Sequence, residues 1–131
     1  MEKESGAAAV EFALLLPALT LIIVGIMIFG LILNSYLEIT HAAREGARWA
    51  ALRAPISEVE TKAKDAAPGI DWTQATITVA GVPAGGATDA EQGDPVTVTI
   101  VYNIDGIKAI VGTLMSFLPA TISSAATQQV E

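Results

Sequence analysis

The sequence contains no cysteine, and its 131 residues include a single histidine, His41. Without cysteine the chain can form neither a disulfide nor a thiolate site for a metal or for redox chemistry. One histidine on a predicted helix cannot supply a histidine metal cluster, and a nucleophile triad would have to recruit it. These absences argue against an enzyme and predict no metal or other cofactor.

Charged residues are also scarce, at 16% of the chain, and none lies between Phe12 and Leu37. At 1.5 Å per helical residue this run is about 39 Å long, enough to cross the ~30 Å hydrocarbon core of a bilayer. We therefore predict a transmembrane segment over residues 12–37. Glu11 lies at its start, and an acid at the edge of lipid costs about 2.5 kcal/mol on insertion scales, so it is a candidate functional residue that needs a partner.

Basic residues are few, and the formal net charge is −7. From Ala54 onward there are nine acids and three lysines, whereas residues 7–53 contain three acids and three arginines. An acidic exposed domain argues against nucleic-acid binding, which requires a basic surface. We therefore expect no nucleic-acid partner.

The N-terminal helix is predicted to be long. The leading "MEKESG" is short and mixed in charge, and the apolar run after it is longer than the 7–15 residues of a secretory signal core, so an ordinary cleaved signal peptide is rejected. Helix-forming residues continue to Arg53, and Pro55 disfavours a helical Ala54. One helix from about Ala7 to Arg53 is expected, with a local kink at Pro17.

The rest of the chain predicts a small α+β domain. Ser57 and Glu60 resemble a capping box that opens a short amphipathic helix. Alternating apolar residues in "ATITVAG" and "VTVTIVYNI" predict two antiparallel strands, and weaker alternation in "ATISSAATQQVE" predicts a third. "GIKAIVGTLMSFLP" predicts a core helix. The expected fold is a long N-terminal hydrophobic helix followed by a small distal domain with a short antiparallel sheet and one or two short helices.

Small residues form two ladders on the second half of the long helix, which lets another element approach closely. The first consists of Ala42, Gly46 and Ala50, and the second of Ala43, Ala47 and Ala51. They can pack against the chain's own distal domain or against other subunits. Arg44 and Arg48 are like charges four residues apart, so they need compensation from Glu45 or from a neighbour's carboxylate, which makes these three residues candidates for inter-subunit charge pairs.

The N-terminal third of the sequence resembles a known family. "SGAAAVEFALLLPALTLIIVGI" and "NSYLEITHAAREGARWAA" are similar to the TadE-like proteins, the pilin-like subunits of tight-adherence (type IVc) pili. The resemblance is close over about the first 53 residues and holds only as a pattern thereafter. The C-terminal "ISSAATQQVE" departs from the family, which often has a methionine and a basic residue there.

The resemblance implies a role for Glu11. In type IV pilins a prepilin peptidase cuts after a glycine and the fifth residue of the mature chain is a glutamate, which places the cut between Gly6 and Ala7 and gives Glu11 that position. The implied partner of Glu11 is the new terminal ammonium of an adjacent subunit. A carboxylate among apolar helices requires such a cation. The motif also implies assembly roles for Phe12 and Pro17.

The family layout implies a leader over 1–6, a long helix over 7–53 and an extracytoplasmic α+β domain over 54–131. Arginines after the apolar run weakly favour the opposite orientation, with the C-terminal side inside. The implied partners are a prepilin peptidase, other pilin subunits and an inner-membrane assembly platform. Major pilins of such pili are generally shorter, which favours a minor or priming subunit, located in the bacterial cytoplasmic membrane before assembly and in an extracellular pilus afterwards.

Two alternatives stay open at this point. The chain could be the main subunit of its own filament, or a permanently anchored single-pass membrane protein whose acidic domain binds an extracytoplasmic partner. A permanent anchor needs neither cleavage at Gly6 nor the carboxylate of Glu11.

Overall fold

The computed structural model describes residues 2–82, 87–106 and 119–131. In chain order the elements are helix α1 (Glu2–Ala51), helix α2 (Ile56–Asp65), strand β1 (Ala75–Ala80), a 3₁₀ turn (Ala87–Asp89), strand β2 (Pro95–Asn103) and strand β3 (Thr121–Gln129). The chain forms two compact units, Met1–Ile32 and Leu33–Glu131. The expected α+β class, with its long apolar helix and antiparallel sheet, is confirmed.

Helix α1 is continuous through Pro17 and ends near the predicted position. Its end is a Schellman motif: the Ala54 N–H donates to the Trp49 carbonyl (3.2 Å) and the Arg53 N–H to the Ala50 carbonyl (3.0 Å). Arg53 occupies the left-handed position with φ of 60°. Glycine is the usual residue there because it has no Cβ to clash, so the chain holds an arginine in a strained conformation.

The sheet has strand order β1-β2-β3, and both pairs are antiparallel. All three predicted strands are confirmed, including β3, whose alternation was the weakest. Along β2, the side chains of Val96, Val98 and Ile100 are fully buried, as the alternation of apolar residues predicts. One face of the sheet therefore belongs to the core of the Leu33–Glu131 unit.

The opposite face of the sheet is hydroxyl-rich. The register aligns Thr78 with Thr99 and Thr97 with Thr127, and the last pair is hydrogen-bonded through its hydroxyls at 2.8 Å. None of the three strands has a charged side chain on this face.

Helix α1, helix α2 and the sheet meet at Gly46. A Cβ on this residue would lie 3.2 Å from Cγ1 of Val98 on β2 and 3.3 Å from Cβ of Ala63 on α2. Both distances are shorter than ordinary carbon contacts of 3.5–4.0 Å. The absence of a side chain at Gly46 is therefore what lets three elements pack together.

The predicted capping box on α2 is wrong. The helix begins at Ile56 after Pro55, two residues earlier than a Ser57 cap requires, and no side chain caps it. The Pro55 carbonyl accepts from the Glu58 and Val59 N–H groups (2.9 and 3.0 Å). Proline fixes a backbone angle suited to helix entry, and this local preference wins over the serine signal. The core helix predicted for residues 107–118 lies outside the described residues.

Candidate assembly surfaces

The Met1–Ile32 unit is one apolar helical segment whose side chains are largely uncovered. Phe12 is 59% exposed, Leu14 75% and Phe29 67%. Across the most apolar 18-residue window of α1 only 6% of residues are buried. Among the described residues α1 is the one helix long and apolar enough to cross a membrane. Such a surface in water is unfavourable, so it requires lipid or other helices around it.

The residues predicted to act in cleavage and assembly lie in this unit. Gly6, Ala7, Glu11, Phe12 and Pro17 are all exposed on α1. Ala7 and Glu11 are four residues apart, so they share one face of the helix, about 6 Å apart along its axis. A Cβ on Gly6 would meet nothing within 4 Å. The described contacts bring no cation to Glu11.

Pro17 leaves the helix one hydrogen bond short. It has no N–H, so the Ala13 carbonyl lacks its usual donor four residues on. One turn later the Thr20 hydroxyl donates to the Leu16 carbonyl at 2.8 Å. Near Pro17, a backbone carbonyl thus accepts a hydrogen bond from a threonine side chain, as transmembrane helices with a proline commonly show.

The small-residue ladders lie in the core of the Leu33–Glu131 unit. Ala42, Ala43, Ala47 and Ala50 are fully buried, Ala51 is 6% exposed and Gly46 is buried. They pack with α2 and the sheet, in one cluster that includes Val59, Ala63, Val96 and Val98. The side chains of these ladders are therefore covered by the chain's own distal elements.

Three charged residues near the C-terminal end of α1 line a groove beside the end of β3. The groove has a volume of about 560 Å³, and its lining includes His41, Arg44, Glu45, Arg48, Gln128 and Glu131. Glu45 accepts a hydrogen bond from Nε1 of Trp49 (2.9 Å) and lies 4.0 Å from Arg48. Within the described part of the chain, no carboxylate lies within 4.0 Å of Arg44. As far as the described residues show, Arg44 is a cation of this groove without a carboxylate of its own chain and is open to an outside partner.

His41 takes part in no metal-binding arrangement in the described part of the chain, where no group of three or more His, Asp or Glu side chains could hold a metal ion. It is exposed on α1 and contributes to the wall of the groove.

Comparison with known families identifies the N-terminal part of the chain. Residues 6–48 match the family model described as TadE-like protein. Over these residues the long helix is similar to the TadE-like proteins. The resemblance predicted from "AAVEFALLLP" and "AAREGAR" is thereby confirmed. No curated protein matches the chain. No solved structure matches it either.

The TadE-like match ends at residue 48, before α2 and the sheet begin. It contains Gly6, Glu11 and both arginines of the groove. It also contains most of the helix face on which the sheet packs. The elements outside the match are those that cover this face.

One polar contact within the Leu33–Glu131 unit has no sequence signal. Oε2 of Glu38 accepts a hydrogen bond from the Gly69 N–H (2.9 Å), and Oε1 accepts from the Asn34 amide (3.3 Å). A Cβ on Gly69 would overlap the Glu38 carboxylate. Glu38, on the TadE-like segment, therefore holds the turn that follows α2, and glycine is required for that approach. The 31 residues between the partners hide this pair from pattern analysis.

Proposed function

We propose that this chain is a pilin-like structural subunit of a tight-adherence (type IVc) pilus, in a minor or priming role. On this proposal a prepilin peptidase cuts between Gly6 and Ala7. The mature chain then assembles through its N-terminal helix with other pilin subunits, delivered by an inner-membrane assembly platform.

The observation that carries the proposal is the position of Glu11. It is an exposed carboxylate at the start of an uncovered apolar helix, five residues after Gly6, and it lies inside the segment that matches the TadE-like family. A carboxylate in lipid is costly, and one among apolar helices is tolerated when a cation pairs with it. The terminal ammonium that cleavage would create at Ala7 of a neighbouring subunit supplies that cation.

The proposal assigns each part of the chain a location. Residues 1–6 are a leader, residues 12–37 span the cytoplasmic membrane before assembly, and residues 54–131 lie outside the cytoplasm. The apolar side chains exposed on residues 10–32 exchange lipid for neighbouring helices when the subunit enters a pilus. Nothing in this role requires catalysis, so the chain is proposed to be structural.

Two measurements test the proposal. The first is the N-terminal mass of the protein in sheared surface material and in membranes. We expect the mature chain to begin at Ala7, and we expect Gly6→Leu to leave it uncut in the membrane. Gly30→Leu is the matched control, because a Cβ at either glycine meets nothing within 4 Å. An intact Met1 terminus on assembled protein would exclude cleavage after Gly6.

The second measurement concerns the charge of Glu11. Glu11→Gln keeps the size of the side chain but removes the charge, so membrane insertion should be as good or better, by up to about 2–3 kcal/mol on insertion scales. Assembly should fall sharply because the neighbour's ammonium is left without a counter-ion. Glu58→Gln, an exposed acid on α2, controls for the loss of one negative charge. Wild-type amounts of Glu11→Gln protein in surface material would exclude an assembly role for this carboxylate.

A further inference from the structure

Among the described residues, no strand pairs with the outer edge of β3. Just after β3, both backbone groups of Val130 point toward the residues that precede β2: its N–H donates to the Asp94 carbonyl (2.9 Å) and its carbonyl accepts from the Gly93 N–H (2.8 Å). The direction of the backbone N–H and C=O groups alternates along a strand. In even-numbered residues of β3 these groups therefore point toward β2, and in odd-numbered residues they point away from the sheet. The outward residues are Thr121, Ser123, Ala125, Thr127 and Gln129. Across the described residues, their backbone groups have no backbone partner.

The edge of β1 is open in the same way. The Asn103 N–H donates to the Gln74 carbonyl (2.9 Å), which places Gln74 and the even-numbered residues after it toward β2. The outward residues are then Ala75, Ile77 and Val79, and they too lack a backbone partner in the described ranges. Natural edge strands are usually guarded by charge, proline or a bulge. Neither β1 nor β3 contains a charged residue or a proline.

The direction of the strands limits which edges can meet. Thr40 on α1 contacts Ser124 (3.1 Å), and the Ala51 carbonyl accepts from the Glu131 N–H (3.1 Å), so β3 runs in the direction of α1. Two antiparallel pairings bring β1 back to the same direction. If β3 paired antiparallel with the β3 of a second copy, Leu33 of one copy and Leu33 of the other would lie at opposite ends of the paired sheets. Copies anchored in one membrane cannot adopt that arrangement.

A parallel contact between β3 and the β1 of another copy keeps both helices in one direction. It is heterologous and leaves a free edge at each end, so it can repeat from subunit to subunit. Ala125 on β3 and Thr78 on β1 are small residues exposed on the same uncharged face of the sheet, so neither of these side chains blocks the approach.

The helices beside the two edges both carry charged residues, and Arg44 of α1 and Glu60 of α2 have opposite signs. Arg44 and Arg48 of α1 line the groove beside β3. Glu60 and Lys64 of α2 line a smaller groove beside β1, of about 210 Å³, and form a 3.9 Å ion pair. Both helices pack on the same face of the sheet, since Gly46 of α1 approaches Ala63 of α2 and Val98 of β2 together. Joining the edges therefore brings the two charged walls opposite each other.

We propose that the β3 edge of one copy pairs in parallel with the β1 edge of a second copy, with Arg44 facing Glu60 of the partner subunit. This inference rests on the proposed function, because it assumes copies that share one membrane orientation. It gives Arg44 a carboxylate from a neighbouring copy, whereas Arg48 lies 4.0 Å from Glu45 of its own helix.

Disulfide cross-linking tests this contact, because the natural chain has no cysteine. Full-length chains carry Ala125→Cys together with Thr76→Cys, Thr78→Cys or Ala80→Cys, one pair for each register. Adjacent strands lie about 4.8 Å apart, within the ~4.4–6.8 Å range of Cα separations that a disulfide spans. Thr97→Cys with Thr127→Cys is the positive control within one chain, because these register partners have hydroxyls 2.8 Å apart.

We expect one register pair to give a ladder of cross-linked species, beginning with the dimer, on mild oxidation of membranes or of sheared surface material. Arg44→Glu should lower the ladder yield roughly two- to fivefold, the usual effect of one exposed charge pair, and adding Glu60→Lys should restore it. Equal dimer yields with Ala125→Cys alone would overturn the proposal in favour of a β3 self-contact. Absence of the ladder from both fractions, while the control pair oxidises fully, would also overturn it.

The proposed function has a separate readout in the same samples, since the N-terminal mass reports cleavage after Gly6 whether or not the ladder forms. A cut chain without a ladder rejects the strand contact alone. A ladder from an uncut chain supports the contact and rejects the processing.

Discussion

Substitution of Gly46 tests whether three elements meet where the packing places them. Gly46→Ala gains helix propensity, about 0.8–1.0 kcal/mol relative to glycine. Its Cβ would lie 3.2 Å from Val98 and 3.3 Å from Ala63, so both neighbours must move by a few tenths of an ångström. Crowding of a packed core costs about 1–3 kcal/mol. We therefore expect Gly46→Ala to lower the free energy of unfolding by about 0–2 kcal/mol.

Gly46→Val separates crowding from propensity. It adds two more methyl groups against Val98 and Ala63 and gives up most of the propensity gain, because valine is β-branched. We expect a loss of about 3 kcal/mol or more, since the added volume exceeds that of typical overpacking substitutions. For a unit of this size that corresponds to a fall in melting temperature of roughly 12–24 °C.

The full-length protein in mild detergent provides a selective assay. Both tryptophans, Trp49 and Trp72, pack against the core of the Leu33–Glu131 unit. Their fluorescence on heating or in denaturant therefore reports that unit and not the apolar segment. Gly30→Ala and Gly30→Val are matched controls on the same helix, where a Cβ meets nothing within 4 Å, and they should leave the transition in place. Equal midpoints for Gly46→Val and Gly30→Val would refute the packing argument.

Three further predictions use the same fluorescence assay. Arg53→Gly should raise the free energy of unfolding by up to about 1 kcal/mol, because it relieves the left-handed φ of 60°, whereas Arg53→Ala should give no gain. A gain with both variants would mean that the loss of the arginine charge, and not the backbone angle, changes the stability. Gly69→Ala and Glu38→Ala should each lower the free energy of unfolding by about 1 kcal/mol, because both remove the same hydrogen bond. The double variant should therefore lose little more than either single variant, and additive losses would contradict the pairing. The Thr73 hydroxyl and N–H donate to Asp71 (2.7 and 3.0 Å) and lower the pKa of that carboxyl. Its stabilising contribution is therefore present above its unfolded pKa and is lost as the pH falls through the lower folded value. The difference in the free energy of unfolding between the natural protein and Asp71→Asn should thus shrink from pH 6 to pH 2, and a constant difference would contradict this.

The sequence is sufficient to predict the elements whose signals are local and periodic. The uncharged run of α1 and the alternation along β2 are such signals, since side-chain spacing follows the backbone repeat directly. β3 has small polar residues in place of large apolar ones, so its pattern is weak, but its antiparallel pairing with β2 fixes it as a strand. At α2 two local signals competed, and Pro55 determined the helix start in place of Ser57.

Contacts between distant residues could not be predicted. Glu38 and Gly69 are an ordinary acid and an ordinary turn glycine until the fold brings them together. For the same reason composition left open what covers the small-residue ladders. In the structure the covering residues, such as Ala63 on α2 and Val98 on β2, come from the part of the chain that follows α1. The assembly roles of Gly6, Glu11, Phe12 and Pro17 stay predictions that follow from the family resemblance.

The packing of α1 beneath the sheet has a consequence for biosynthesis. The alanine and glycine face of α1 is completed by residue 51, but the strands that cover it are not finished until residue 129, and the contact between Thr40 and Ser124 joins residues 84 positions apart. At about 5–20 residues per second, a ribosome needs roughly 4–16 s to make the remaining chain. During that interval the apolar segment leaves the ribosome before the strands that cover the small-residue face of α1 are complete. The nascent subunit therefore passes through a stage in which this face is open to other helices, and α2, β2 and finally β3 cover it.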